Sequence, residues 1–160
     1  MKIPFVSEGE IDEVSQLMDD EAISYDQLLV EMQDRQPILF SYLFSENFKL
    51  LTTEEKEYLL YLALIIWKAI AEQTEKAVPI TSEIIEEKEE KNWTIFNEST
   101  ARVFRDKLDY FFQEYPQEDL LAYVEDALVD DEDTFVTKEG RDLMFIGLKT
   151  MVDSLCGISV

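Results

Sequence analysis

The run YLLYLALIIW, at residues 58–67, constrains the fold of this chain more than any other stretch. It lies inside segment 52–77, whose apolar residues recur at the spacing of one helix face. Thr52 and Glu55 have the spacing of a capping box, in which each side chain binds a free backbone amide at the helix start. The run is about half the roughly 20 residues that a bilayer-spanning helix needs. We therefore expect a buried helix that Pro79 terminates.

Helical spacing of apolar residues continues along the rest of the chain. The chain has only four Gly and four Pro in 160 residues, which is few for many strands and tight turns. We predict one all-α domain over residues 1–160, a compact bundle of six or seven helices. The expected helix-start residues are Ser24, Pro37, Thr81 or Ser82, Pro116 and Thr137.

Two segments of the chain resemble each other. Residues 38–70 and 119–155 each contain an apolar helix, a loop, a threonine at a helix start and a second apolar helix. In the alignment of these segments Thr53 pairs with Thr137. The similarity predicts two similar helical hairpins, produced by duplication; chance similarity between amphipathic helices is the alternative.

The segment between the two hairpins, residues 83–115, has aromatic residues close to helical spacing in its second part. We expect a longer central helix here, bent or broken near Asn92. Its first part is acidic and should project into solvent, with an ion pair between Glu87 and Lys91.

The chain carries a net charge of −22, with 36 Asp and Glu against 14 Lys and Arg. Such a charge repels nucleic acid phosphates and anionic membrane surfaces, so direct binding to either is not expected. The expected partner is a basic or mixed-charge protein. A simpler interpretation is that the charge serves solubility alone.

Four consecutive acids, Asp130, Asp131, Glu132 and Asp133, lie within the stretch VDDEDTFVTKEG at 129–140. A calcium-binding EF-hand loop needs oxygen ligands at positions one, three and five, Gly at six and Glu at twelve. A loop that starts at Asp130 or at Asp131 does not have these residues at these positions. We interpret the stretch as a solvated turn between two helices. The same four residues are candidate contacts for a basic partner, and a loose cation site is the alternative.

Residue types that support catalysis are scarce. The absence of His excludes His-based triads and HExxH zinc sites, the single Cys156 excludes cysteine zinc sites, and no phosphate-binding glycine motif occurs. Because Cys156 lies in an apolar stretch, it is expected to be a small buried residue. We expect no enzyme activity, no catalytic residue, no metal site and no cofactor.

Basic and aromatic residues are concentrated at 102–115, a combination favoured in the centres of protein interfaces. The candidate partner-binding residues here and just upstream are Trp93, Arg102, Arg105, Tyr110 and Phe112. The alternative places these aromatics in the core and the cations in helical pairs, Arg102 with Asp106 and Arg105 with Asp109.

These features favour a non-catalytic acidic helical binding or adaptor protein. One alternative is a nucleic-acid mimic, whose carboxylates imitate phosphates and block a basic groove. Another is a small-ligand binder or enzyme with a pocket among the aromatics of 93–115. Because no signal peptide is recognisable and one cysteine cannot form an internal disulfide, we expect a cytoplasmic location. The expected oligomeric state is a monomer or a homodimer.

Overall fold

The structure is a computed structural model that describes residues 3–74, 78–129 and 135–159. The regular elements in these ranges are all helical, and no strand occurs in them. The eight α-helices found there are α1 (Glu8–Asp19), α2 (Tyr25–Arg35), α3 (Pro37–Tyr42), α4 (Thr53–Ala71), α5 (Ser82–Glu98), α6 (Phe104–Phe112), α7 (Glu118–Leu128) and α8 (Lys138–Cys156). A short 3-10 helix, Glu46–Phe48, precedes α4. The all-α prediction is confirmed, but the expected six or seven helices were too few.

Hydroxyl side chains begin most of the helices. Each of these caps accepts a hydrogen bond from the backbone amide three residues further on, which satisfies a donor that the helix itself leaves free. The capping residues are Ser7, Ser24, Thr52, Thr81 and Thr137. The predicted start signals are thus confirmed for α2, α4, α5 and α8, and Pro37 occupies the first turn of α3. Helix α7 begins at Glu118, slightly after Pro116.

Two predicted boundaries were wrong. The segment 83–115 is not one helix bent near Asn92; α5 runs through Asn92, and the chain leaves helical geometry only at 99–103. Helix α4 ends at Ala71, well before Pro79, because the apolar stripe ends at Ile70 and polar residues follow.

Helix α8 is the centre of the molecule, a position that the sequence pattern assigned to 83–115. Every residue from Met144 to Leu155 is buried, and α8 packs against α4, α5, α7 and the 3-10 helix. Helices α4 and α8 have 19 residues each, against 17 in α5. At Gly147 a Cβ atom would lie 2.6 Å from Phe48 Cζ, so glycine permits the 3-10 helix to approach α8.

Two buried glutamines, one before α3 and one before α7, clamp extended segments in the same way. Gln117 Oε1 accepts from the amide of Val6 at 2.9 Å, and its Nε2 donates to the carbonyl of Pro4 at 2.9 Å. Gln36 makes the equivalent pair, with Oε1 accepting from the amide of Ile80 at 2.8 Å and Nε2 donating to the carbonyl of Val78 at 3.2 Å. Gln117 therefore links the first residues of the chain to the start of α7, and Gln36 links residues 78–80 to the start of α3.

The predicted hairpins keep different neighbours. Helix α7 packs along α8, whereas α3 makes its main contacts with α2 and α5. The helix caps are Thr52 and Thr137, one position away from the alignment that pairs Thr53 with Thr137. The solvated turn predicted for 129–140 falls largely on residues 130–134, which lie outside the described residues, and 138–140 already belong to α8.

Candidate functional site

The structure distributes the predicted partner-binding residues over different environments. Trp93 is half-buried and meets Phe96 edge-on, with ring centroids 5.9 Å apart. Arg102 and Tyr110 are exposed, whereas Phe112 is half-buried and packs against the core. The candidates Asp130, Asp131, Glu132 and Asp133 lie outside the described residues.

The sequence spacing predicted an ion pair between Arg105 and Asp109 on the same helix. In the structure Arg105 pairs with residues of α7 instead. Its Nη1 lies 2.9 Å from Glu125 Oε1, and its Nη2 lies 3.8 Å from Asp126 Oδ1. Burial raises the pKa of Glu125, although Arg105 acts to lower it. The guanidinium therefore fastens α6 to α7, which leaves it less available for a partner.

Most aromatics of 93–115 belong to the core. Phe104 and Phe111 meet Phe145 of α8 edge-on, with centroids 5.8 and 5.4 Å apart. A half-open cavity of about 690 Å³ lies at the end of α6, lined by Tyr110, Phe111, Gln113, Glu114, Tyr115, Pro116, Ile158 and Ser159. The ligand pocket predicted among the aromatics of 93–115 stays a prediction, and this cavity lies at one end of that segment.

A charged pair is buried in the centre of the molecule. Lys149 is fully buried, and its Nζ donates to Asp153 Oδ2 at 2.8 Å and to Asn92 Oδ1 at 2.9 Å. Asn92 Nδ2 donates to the same carboxylate oxygen at 3.1 Å, and Tyr115 OH donates to Asp153 Oδ1 at 2.5 Å. The ammonium group also lies over the Phe111 and Tyr115 rings, at 5.1 and 4.8 Å from their centroids.

Burial shifts the titration of this group of residues. Desolvation lowers the pKa of Lys149, although Asp153 acts to raise it. Desolvation and then the Asp153 charge raise the pKa of Tyr115, and the same two causes raise the pKa of Cys156 to about 12. Cys156 is therefore a protonated thiol near neutral pH, as expected for an unreactive cysteine.

The polar network continues to the surface between α3 and α5. Asn92 Nδ2 also donates to Thr150 Oγ1 at 3.2 Å. Burial raises the pKa of Tyr42, and the nearby Thr150 side chain acts to lower it. Tyr42 OH donates to Glu89. Sequence reasoning missed this network; the available signals were a lysine and an aspartate four residues apart on a largely apolar helix.

A groove opens where this network reaches the surface, and we call it the α3–α5 groove. It has a volume of about 280 Å³ and is lined mainly by apolar atoms of residues from both helices. The lining residues are Ile38, Ser41, Tyr42, Ser45, Asn47, Ser82, Ile85, Glu86 and Glu89. Ile38 is 44% exposed, whereas Ile85 and Tyr42 are buried beneath the opening.

Ion pairs between described residues engage few of the chain's 36 acidic residues. The pairs are Arg35–Glu31, Lys68–Glu72, Lys91–Glu87, Arg105–Glu125, Arg105–Asp126 and Lys149–Asp153. The predicted Glu87–Lys91 pair is confirmed, at 3.4 Å. Most acidic side chains on the described helices therefore have no ion pair with another described residue.

Within the described ranges, no three or more Asp, Glu or Cys side chains are grouped so that they could hold a metal ion. Within the same ranges no helix combines the length and apolar character that crossing a membrane requires.

No protein-family model matches the chain, and neither a curated protein nor a solved structure is significantly similar to it.

Proposed function

We propose that this chain is a non-catalytic acidic binding or adaptor protein that contacts a basic or mixed-charge protein partner. One observation carries the proposal: the described helices expose many carboxylates that form no ion pair with another described residue. A surface of one sign steers an oppositely charged partner toward it and favours correct orientation on encounter.

Helix α5 shows this arrangement most clearly. Its exposed face carries Glu83, Glu86, Glu87 and Glu90, of which only Glu87 forms an ion pair with a described residue. Carboxylates on one rigid helix hold a fixed spacing, so a partner can match them without ordering a loop. The cost of ordering that weakens many interfaces is therefore small here.

The proposal is tested by capture from a native lysate at about 0.05 M salt and release at about 0.5 M, a range over which surface charges become screened. Proteins recovered on the wild-type chain are compared with those on a variant carrying Glu83→Gln, Glu86→Gln and Glu90→Gln. The expected result is a basic protein that salt releases and that the variant retains less. Recovery of nothing that is basic and salt-sensitive would contradict the proposal.

Once the partner is purified, its binding to nucleic acid also tests the alternative that this chain is a nucleic-acid mimic. If carboxylates imitate phosphates, the chain displaces DNA or RNA from the partner with a competitive dependence on concentration. If the partner binds nucleic acid and this chain together, mimicry is excluded and the adaptor function stands.

A second candidate function is favoured by the cavity of about 690 Å³, a size typical of small-ligand sites. Tyr110, Phe111 and Tyr115 supply aromatic walls, and Glu114 supplies a negative charge. The cavity therefore suits an aromatic ligand that is neutral or cationic. A thermal-shift screen with such compounds should give ligands that raise the unfolding temperature of the wild-type chain but not that of the Tyr110→Ala variant. Compounds that stabilise the wild type and the variant equally would contradict this site.

We also propose an internal duplication, supported by the matching clamps of Gln36 and Gln117. A cytoplasmic location agrees with a fold whose one cysteine, Cys156, is free.

The high negative charge disfavours self-association, so a monomer, or at most a homodimer, is expected by light scattering at physiological salt.

A further inference from the structure

We infer that the α3–α5 groove is the docking site for a basic amphipathic segment of the partner protein, one that presents a large apolar side chain beside a lysine or arginine. This inference rests on the proposed function and goes further, because it names the place of contact and the chemistry of the contacting segment.

The floor of the groove is suited to an apolar anchor. Ile38 is 44% exposed at the wall, and buried Ile85 and Tyr42 lie below it. A volume of about 280 Å³ accepts one large side chain and little else. Burying such an anchor in a preformed pocket is where most interface energy is gained.

Two carboxylates at the rim supply the charge preference. Glu89 is held in place because Tyr42 OH and Asn47 Nδ2 both donate to it, the latter at 3.2 and 3.3 Å from its oxygens. Glu86 is exposed beside it. Neither carboxylate joins an ion pair with any residue in the described ranges, so a cation from outside the chain can approach both.

Two serines also line the groove. The Oγ atom of Ser45 is buried and makes no hydrogen bond with the described residues. It lies in the groove lining together with the exposed Ser41. Because that Oγ atom is buried, Ser41 is the serine of this pair that a docked segment can reach.

Charge selects the occupant. A second copy of this chain would bring a further net charge of −22 to the acidic rim, and nucleic acid or an anionic membrane would bring phosphates. Each of these is repelled by Glu86 and Glu89, whereas a lysine or arginine is attracted. Lys88 and Lys91 lie on the same helix but do not line the groove.

The experiment uses the full chain and a synthetic amphipathic helix of leucine and lysine as the probe, with binding followed by calorimetry. The same peptide with glutamate in place of lysine is the charge control, and serine in place of leucine is the apolar control. The expected result is that only the leucine–lysine peptide binds tightly, and that it shifts the amide signals of residues 38–47 and 82–89.

Matched variants locate the contact. Glu86→Lys and Glu90→Lys change the net charge equally, but only Glu86 lines the groove. Ile38→Ser and Ile84→Ser each remove a partly exposed isoleucine, but only Ile38 lines it. We expect Glu86→Lys and Ile38→Ser to weaken binding by about tenfold, as losses at interface anchors do, while their controls change it by about twofold or less.

Two adverse outcomes are distinguishable. If the groove variants and their controls weaken the salt-dependent binding equally, the groove is not the docking site, although the proposed function survives. If the leucine–lysine peptide shows no salt-dependent binding to the wild-type chain, both the inference and the proposed function fail.

Discussion

At the scale of single residues, one carboxylate serves two helix starts. Glu55 accepts from the amide of Thr52 at 2.8 Å, which completes the capping box of α4. Its other oxygen accepts from the amide of Thr137 at 2.8 Å and from the Thr137 hydroxyl at 3.0 Å. Gly140 makes room for this group, because a Cβ there would lie 1.9 Å from Glu55 Oε2.

Replacing this carboxylate should destabilise the fold. Glu55→Gln turns one acceptor into an N–H group that faces other donors, so we expect a loss of about 1–3 kcal/mol in the free energy of unfolding, measured by urea denaturation. Glu54→Gln is the matched control, since Glu54 is exposed in the same first turn. An equal loss in both variants would contradict the shared cap.

The pH dependence has a defined sign. Burial acts to raise the pKa of Glu55, but the hydrogen bonds from Thr52 and Thr137 outweigh it and hold the pKa below its ordinary value of 4.5. The stabilisation is therefore complete above that value and is lost as the pH falls through the lower folded-state pKa. The stability gap between wild type and Glu55→Gln should close over that acidic interval; a constant gap would count against it.

The buried pair gives a second prediction at this scale. Lys149→Met leaves the Asp153 side chain, only 2% exposed, without its cation. We expect a loss of about 3–5 kcal/mol in thermal or urea unfolding, as is typical when one partner of a buried pair is removed. The double variant Lys149→Met with Asp153→Leu should recover part of that loss. A double variant less stable than Lys149→Met would contradict this account of the pair.

At the scale of elements, the path of α8 depends on a glycine. Gly147→Ala should destabilise the protein by about 1–3 kcal/mol, because the new methyl group meets the Phe48 ring at 2.6 Å. Gly9→Ala in α1 is the control, since the nearest atom there, Ser7 Oγ, is 3.9 Å away and alanine favours helices. Thermal unfolding that ranks the two variants the other way would contradict the packing described.

The glutamine clamps give an element-scale prediction that bears on the duplication. Gln36→Ala and Gln117→Ala each leave one amide and one carbonyl unpaired, at Ile80 and Val78 or at Val6 and Pro4. We expect losses of about 1–3 kcal/mol that agree within about 1 kcal/mol. Hydrogen exchange should show the freed amide, Ile80 or Val6, opening faster; a change in only one of the pair would weaken the equivalence.

Helix starts could be predicted from the sequence, whereas packing partners could not. Ser24, Thr52 and Thr137 act locally, because a cap bonds an amide three residues away. The pairing of Arg105 with Glu125 and the choice of α8 as the central helix depend on residues far apart in the chain. Local spacing favoured Arg105–Asp109 because it contains no information about the neighbouring helix.

The candidate sites were harder to anticipate for the same reason. Ile38 and Glu86 form one groove only because α3 and α5 pack together, although nearly 50 residues separate their positions in the sequence. The aromatic segment 93–115 contains most of the lining of the cavity at its end, but Ile158 and Ser159 complete that lining from the far end of the chain, which local spacing does not indicate.

At the scale of the whole molecule, the core is built around α8, and most acidic side chains on the described helices form no ion pair with another described residue. A net charge of −22 costs stability through self-repulsion, and added salt should lessen that cost. The same charge gives long-range attraction for a basic partner. The proposed binding of a basic partner depends on this surface.

The most direct measurement is a calorimetric titration of the full chain with its purified basic partner over a series of salt concentrations. The account predicts that affinity falls steadily as salt rises and that Glu86→Lys lowers it more than Glu90→Lys at every salt concentration. Affinity that is independent of salt, or a partner surface that is acidic, would contradict it.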